Sequence, residues 1–265
     1  MPSPFIARRE QFEVVGSTND VVRGWLDHGT PEVCLAVARA QTAGRGREGR
    51  SWLAPPGASL LASLGFRPRW LPPDRLWRLP AVVSLAMAEA AEDVAGLTPG
   101  SVLLKWPNDL AIAGDRVRKL AGVLGETDGI GSADPRVVVG IGLNAEWAAA
   151  DFPDAIAPTM TSLSEVAGGQ TIELDVLLSA FLERLEPRVE GLREGRFDAA
   201  QWAGRQLTTG RMIRLERPGG SVETVRASGV DVASGALLVA SAGGHPRPVV
   251  VGEVRHVRVA DPAVV

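Results

Sequence analysis

The stretch from Gln41 to Trp52, QTAGRGREGRSW, constrains this chain more than any other. Gly44, Gly46 and Gly49 alternate with Arg45, Arg47 and Arg50, and no bulky apolar side chain occurs before Trp52. A buried strand or helix needs apolar side chains at a period of about 2 or 3.6, so this stretch is a loop between packed elements. Glycine lets the backbone take positive φ and come close to another group. Successive free N–H groups and three guanidinium forks can form a concave anion site. A segment that packs poorly by itself is mobile until a ligand orders it. Two readings fit these twelve residues alone. One is a phosphate-binding loop that orders on its ligand; the other is a solvated surface loop or a short Arg-Gly contact for nucleic acid.

The rest of the chain narrows the choice. Its 265 residues suit one large domain, or one domain with a small satellite, and can bury a sizeable core. A net charge of −3 argues against nucleic-acid binding by bulk charge, so the arginine cluster is a local feature. Cys34 is the only cysteine, which excludes an intrachain disulfide and fits a reducing compartment. It sits in the apolar run Val33 to Ala38 and reads as a small buried hydrophobe rather than a nucleophile. The N-terminus has no basic region followed by an apolar one, and no apolar run approaches the roughly 20 residues of a membrane helix. The expected location is the cytoplasm, with no membrane partner.

In chain order, Gly16-Ser17-Thr18-Asn19-Asp20 precedes a helix over Asp20 to His28 that Gly29 ends. Ser17 or Thr18 can cap that helix; the same polar triplet can also hold the polar head of a small ligand. Val33 to Ala40 reads as a strand running into the loop, and Ala58 to Arg67 as its antiparallel partner. Leu79 to Ala95 is a nearly all-apolar helix, suited to packing across a sheet, with Pro80 in its first turn and Gly96 at its end. Val102 to Trp106 is a short strand, and Pro107 makes the chain leave the sheet there. Arg118 to Glu126 reads as a buried strand with Lys119 at its start, and Val137 to Leu143 as a central strand whose Gly140 and Gly142 leave room for something else. A Pro- and Ala-rich loop from Ala145 to Thr161 follows. Leu174 to Leu192 is an amphipathic helix that Pro187 bends or splits, with a shorter helix near Phe197 to Arg205. From Leu207 short β runs separated by glycine-rich turns predict an all-β module, a small barrel. The domain boundary is set at 206/207: residues 1–206 carry the catalytic part and 207–265 the barrel.

Five stretches stand in order: GSTND at 16–20, the arginine-glycine loop, KWPND at 105–109, KLAGVLGE at 119–126 and VGIGLN at 139–144. Together they resemble the bacterial biotin protein ligases, or biotin–[acetyl-CoA-carboxylase] ligases, over most of the chain. The C-terminal GVDVASGALLVA with the later VGEV resembles the family's SH3-like barrel. The resemblance implies an α+β fold: a mixed, largely antiparallel sheet flanked by helices, with the small C-terminal SH3-like barrel. It also implies two-step chemistry. Biotin's carboxylate attacks the α-phosphate of ATP, biotinyl-5′-AMP forms, and a lysine of a biotin carboxyl carrier domain then takes the acyl group.

By the same resemblance, biotin lies against Ser17, Thr18, Asn19, Gln41, Arg45, Gly46, Arg47 and Lys119, with Gly140 and Gly142 as its floor. ATP lies against Arg47, Arg50, Trp52, Lys105, Asn108, Asp109, Lys119 and Asn144. Lys119, Arg47 and Asp109 carry the catalysis, Lys119 bridging carboxylate and α-phosphate and Asp109 orienting or deprotonating the acceptor lysine. Trp52 stacks near the adenine or is plain core. Mg²⁺ arrives with ATP, near Asp109 if it has a protein partner. Glu48 departs from a loop that is often more basic in the family, and pairs with a neighbouring arginine or faces solvent. With little chain before Ser17 for a winged-helix DNA-binding domain, the expectation is a monofunctional ligase without DNA as a partner. The expected acceptor is the carrier domain of an acyl-CoA or pyruvate carboxylase, and the expected state a monomer or weak homodimer. His28, His245 and His256 are scattered and suggest neither a triad nor a metal site. The competing readings are a lipoate–protein ligase of the same fold and a nucleic-acid-binding module.

Overall fold

In the computed structural model, residues 5–217, 219–241, 243–250 and 256–259 are described. The larger body is a seven-stranded sheet in the order β1-β2-β3-β7-β6-β5-β4. Its strands are β1 (Arg8–Val15), β2 (Cys34–Gln41), β3 (Ser59–Phe66), β4 (Val102–Lys105), β5 (Asp109–Ile112), β6 (Arg118–Asp128) and β7 (Arg136–Asn144). Only β1 and β2 run parallel; every other neighbouring pair is antiparallel. The sheet is therefore mixed and largely antiparallel, as expected.

Two strands were not foreseen. β1 is the edge strand RREQFEVV, whose charges mask its pairing potential; an edge strand pairs on one side only and tolerates charge on the other. β5 begins three residues beyond Trp106. Pro107 does end β4, but the chain turns straight back into the sheet as a hairpin, pairing Lys105 with Asp109. The outer edge of β4 is covered in turn by the segment at 205–207. Leu104 N–H donates to Arg205 O at 2.9 Å and Leu207 N–H to Leu104 O at 2.8 Å.

Period-2 alternation gives the sheet two different faces. On one, Leu35, Val37, Leu60, Ala62, Val139, Ile141 and Leu143 join the main core beneath α2 (Arg78–Val94) and α4 (Leu174–Arg193). α2 is apolar nearly all round because it is covered by both the sheet and α4. α4 passes through Pro187 as one helix, so of the two expected effects, a bend or a split, the split does not occur. On the other face, Cys34, Ala36 and Val138 pack against α1 (Thr18–Asp27) through Val22, Trp25 and Leu26. That face also presents Ser63, Gly140, Gly142, Gly122 and Asn144, where α1 and the arginine-glycine loop sit over it.

α3 (Leu163–Val166), α5 (Ala199–Gly204) and the loop from Ala145 pack onto the main core through Leu163, Trp202 and Ala145, and buried Trp147 and Phe152 in that loop hold their ring centroids 4.3 Å apart. β8 (Met212–Glu216), β9 (Val222–Val230), β10 (Leu237–Val239), β11 (Arg247–Val249) and β12 (His256–Val259) form an antiparallel sheet in the order β11-β10-β9-β8-β12. Among the described residues β11 and β12 do not pair with each other, so a small second sheet is seen there but not the closure of the expected barrel. The VGEV stretch at 251–254 and the side chain of His256 lie outside the described residues. No helix among the described residues is long and apolar enough to cross a membrane.

Candidate functional site

The site is built on the sheet face that carries α1. Ser17, Thr18 and Asn19 are buried at the start of α1. Ser17 has the extended backbone of an N-cap, yet its side chain makes no capping hydrogen bond. Gln41, the last residue of β2, instead takes the helix start in hand: its Oε1 accepts from Thr18 N at 2.7 Å and from Thr18 Oγ1 at 3.1 Å. Ser63 on β3 lies 2.7 Å from Thr18 Oγ1 and 2.6 Å from Asn19 Oδ1. Ser63 was not singled out in the sequence, because a lone serine inside an apolar strand carries no pattern. Pairing opposite Gly140 puts it on this face. The space above Gly140 is taken by the Asn19 amide, which a Cβ at residue 140 would overlap. The result is a buried cluster of neutral donors and acceptors, of the kind that suits a small polar headgroup.

Beside it lies a charged cluster. Asn19 Nδ2 donates to Glu126 Oε2 at 2.6 Å, and Arg23 Nη2 pairs with the same oxygen at 2.9 Å. Arg45 makes two hydrogen bonds to Asp20, at 2.6 and 2.7 Å, and reaches Glu126 at 3.4 Å. The hydrogen bond to Asp20 raises the Arg45 pKa further, and the Asp20 carboxyl is correspondingly lowered, chiefly by Arg45. Arg45 therefore ties the first half of the loop to α1 and β6. Asp20 and Glu126 stand within GSTND and KLAGVLGE, and only the folded chain shows them as site residues.

The loop itself is a small hairpin. Gly46 N–H donates to Arg50 O at 2.6 Å and Trp52 N–H to Gly44 O at 2.9 Å, with Arg45 bridged to Ser51. Two of its glycines have separate reasons. Gly44 lets the chain cross itself, since a Cβ there would lie 2.6 Å from Trp52 O. Gly49 has φ +73°. Glu48 takes φ +58° and sits 3.7 Å from Arg47 and 4.0 Å from Arg50, so it pairs within the loop. Burial lowers the Arg47 pKa, against the pull of Glu48 and Asp109.

Trp52 closes the hairpin and lays its indole on the sheet. A Cβ at Gly142 would collide with the ring, at 2.7 Å from Cζ2, and one at Gly122 would meet Cζ3 at 3.0 Å. Gly122 and Gly142 pair across β6 and β7, so the two glycines make one flat seat. The room left by Gly142 is thus filled by a side chain of this protein, and that left by Gly140 by Asn19. Trp52 Nε1 is buried without a hydrogen-bond partner, and Lys119 Nζ lies 5.2 Å from the ring centroid.

Lys119 reaches this face through a β-bulge. Asp109 pairs with Gly122 and Leu110 with Ala121, but Ala111 pairs with Lys119, leaving Leu120 as the extra residue. Without that extra residue Lys119 would pair with Ile112 and point into the main core; the bulge flips it to the face of Asp109 and Lys105. Lys119 Nζ lies 2.6 Å from Asp109 Oδ1 and Lys105 Nζ 3.3 Å from Asp109 Oδ2. Burial pushes the Asp109 pKa up, but the Lys119 and Lys105 ammoniums outweigh it, and the net shift is down. Behind them, Thr161 N–H donates to Lys119 O at 3.0 Å and Thr161 O accepts from Asn144 Nδ2 at 3.0 Å. Asn144 Oδ1 is buried without a partner. Asn108 spends its amide on Val123 O, at 3.1 Å, which holds the hairpin turn to β6.

One face thus gathers Ser17, Thr18, Asn19, Gln41, Arg45, Arg47, Trp52, Lys105, Asp109, Lys119, Gly140, Gly142 and Asn144. Arg50 is half exposed at the outer side of the loop. Cys34 is fully buried and its thiol is pushed up to about 11 by burial, which fits its reading as a hydrophobe. No cluster of three or more His, Cys, Asp or Glu suited to a metal occurs among the described residues.

Comparison with known proteins places this geometry. The family described as the biotin/lipoate A/B protein ligase family matches residues 11–144, the span holding every residue just gathered. A biotin–[acetyl-CoA-carboxylase] ligase of Mycobacterium tuberculosis is 33% identical over 253 residues, covering 94% of this chain and 90% of that protein. A protein of the same name from Paracoccus denitrificans is 37% identical over 154 residues, 55% of this chain and 60% of that one. The biotin protein ligase of Aquifex aeolicus, solved in complex with biotin and ATP, superposes with a TM-score of 0.78 at 27% identity, covering 96% of this chain and 99% of that one. The chain belongs to the biotin/lipoate A/B protein ligase family and, within it, to the biotin protein ligases.

Proposed function

We propose that this protein activates biotin with ATP and transfers it to a lysine of a biotin carboxyl carrier domain in an acyl-CoA or pyruvate carboxylase. The observation that carries the reading is the adjacency of two unlike subsites on one sheet face. Ser17, Thr18, Asn19, Gln41 and Ser63 form a neutral polar cluster; Lys119, Lys105 and Arg47 form a cationic one around Asp109. Biotin is a neutral ureido ring joined to a carboxylate, and its reaction partner is a triphosphate. The first subsite suits the ring and the second the anions.

In the first step a biotin carboxylate oxygen attacks the α-phosphorus. The bond from that phosphorus to the bridging oxygen breaks, and pyrophosphate leaves with the electron pair. Lys119 holds the two anions together, and Arg47 neutralises charge as it builds. Mg²⁺ enters with ATP as part of the substrate; Asp109 already faces two ammoniums, which makes it a poor metal ligand. In the second step the neutral acceptor amine attacks the acyl carbon, the C–O bond of the mixed anhydride breaks, AMP leaves with the electron pair and the amine's proton passes to solvent. Asp109 is ionised and hydrogen-bonded, so it orients Lys119 and the incoming amine rather than storing a proton. Asn144 accepts from a donor of the nucleotide through its unpartnered carbonyl oxygen, and Trp52 turns its indole to the adenine. Gly46 and Arg50 close over the adenylate, Gly140 and Gly142 floor the site by seating Asn19 and Trp52, and Asn108 holds the turn that carries Asp109.

Residues 1–206 carry this chemistry, and the C-terminal module at 207–265 is of the SH3-like kind. The protein works in the cytoplasm as a monomer or weak homodimer, without DNA as a partner. Biotin-dependent ATP–pyrophosphate exchange, run beside lipoate, tests the reading. Exchange with biotin is expected; exchange with lipoate alone would overturn it.

A further inference from the structure

The KWPND turn carries a residue that the chemistry above does not use. Trp106 follows Lys105 at the tip of the β4–β5 hairpin and is buried. Its side chain does not join the core of its own sheet. It lies in the core of the second sheet with Ile213, Leu215, Ala227, Leu237, Val239 and Val249. Trp106 Nε1 donates to Gly235 O at 3.0 Å. Gly235 belongs to a tight turn closed by Gly235 N–H to Asp231 O and Asp231 N–H to Ala236 O, each 2.8 Å. It has φ +75°, and a Cβ there would lie 2.7 Å from the ring of Trp77, just before α2. One turn of the second sheet is therefore wedged between two tryptophans of the first body.

This matters because β4 is the last strand of its sheet and its hairpin has a neighbouring strand on one side only. Lys105 and Asp109 stand on either side of Trp106 in this hairpin, and Asp109 is the residue on which Lys105 and Lys119 converge, at 3.3 and 2.6 Å. We infer that the C-terminal sheet is a positioning part of the reaction centre, acting through Trp106 and Gly235 to hold Lys105 and Asp109 in register with Lys119. The inference rests on the function proposed above. Trp106 touches neither reacting atom nor, on this geometry, substrate, so it is a positioning residue. A displacement of about 1 Å at reacting groups can cost about a hundredfold in rate. The grip therefore acts on turnover, while the biotin pocket, built on α1, β2 and β3, lies outside its reach.

The experiment compares the whole protein with Trp106→Phe, which keeps an aromatic filler and removes the N–H donor, and Gly235→Ala, which strains the turn. In both variants kcat for biotin-dependent exchange is expected to fall by about tenfold or more, with the KM for biotin within about twofold of wild type. Amide hydrogen exchange, which needs no activity, is expected to speed up at 105–109 and 119–122 but not at 17–19. A kcat at the wild-type value in both variants, or a biotin KM that rises in step with the loss, would overturn the coupling. So would unchanged protection at 105–122. If the wild-type protein shows no biotin-dependent exchange at all, the function fails, and the hydrogen-exchange arm alone decides the coupling.

Discussion

Replacing Asp109 by Asn tests the charge balance at the centre of the site. The substitution keeps shape and removes one negative charge between two ammoniums, at 2.6 Å from Lys119 and 3.3 Å from Lys105. Two unit charges about 4 Å apart at an effective dielectric of about 20 interact by about 4 kcal/mol. Loss of one partner from a buried pair costs about 3–5 kcal/mol. Lys119 keeps 29% of its side chain exposed, so water offsets part of this, and a net loss of about 2 kcal/mol follows. For a chain of this size that lowers Tm by about 4–8 °C. The catalytic effect is larger: without the carboxylate that orients the amine, transfer from preformed biotinyl-AMP falls about a hundredfold. Single-turnover transfer to a carrier domain is the assay. Transfer at the wild-type rate would refute the role of Asp109. The pH dependence separates orientation from base catalysis. The folded pKa of Asp109 lies below its ordinary 3.8. Its contribution to stability is therefore complete above the unfolded value and is lost as pH falls through the folded one. Between about pH 6 and about pH 9 the Tm gap between the two proteins stays constant, and Asp109 adds no bend to the transfer profile. A bend near neutral pH that disappears in Asp109→Asn would instead make Asp109 the base.

Three further outcomes follow from the loop and its seat. Arg47→Gly removes a half-buried guanidinium from the hairpin, so adenylate is expected to leak and label bystander amines while its formation persists; unchanged retention of biotinyl-AMP would count against a closing role for the loop. Biotin with ATP is expected to protect residues 44–52 from proteolysis, and equal cleavage with and without them would remove ligand-driven ordering. Gly142→Ala places a methyl inside the indole of Trp52, at a cost of about 1–3 kcal/mol for overpacking. The tryptophan emission is expected to shift red as the ring leaves its seat, and an emission spectrum and Tm identical to wild type would show that Trp52 does not rest there.

Much of this molecule is written locally. The arginine-glycine stretch has to be a loop because it lacks apolar side chains to bury. The long helix at Arg78–Val94, the strands from Cys34 and Arg136 and the β texture beyond Leu207 follow from apolar period and glycine-rich turns. The five motifs in order were enough to identify the family. What local pattern does not carry is the pairing of distant residues. β1 stayed hidden because an edge strand needs little apolar content, and β5 because four residues after a proline carry no period. Ser63 and Glu126 acquire roles only when strand register sets them opposite Gly140 and Val138. Trp52 could be read as core or as an adenine platform; in the folded chain it rests on a seat made by two glycines from different strands. Above all, the side of the sheet on which Lys119 emerges depends on one extra residue at Leu120. Period-2 geometry makes that a choice between two faces, and only the register with β5 decides it. The KLAG motif names the lysine, and the bulge delivers its charge to Asp109.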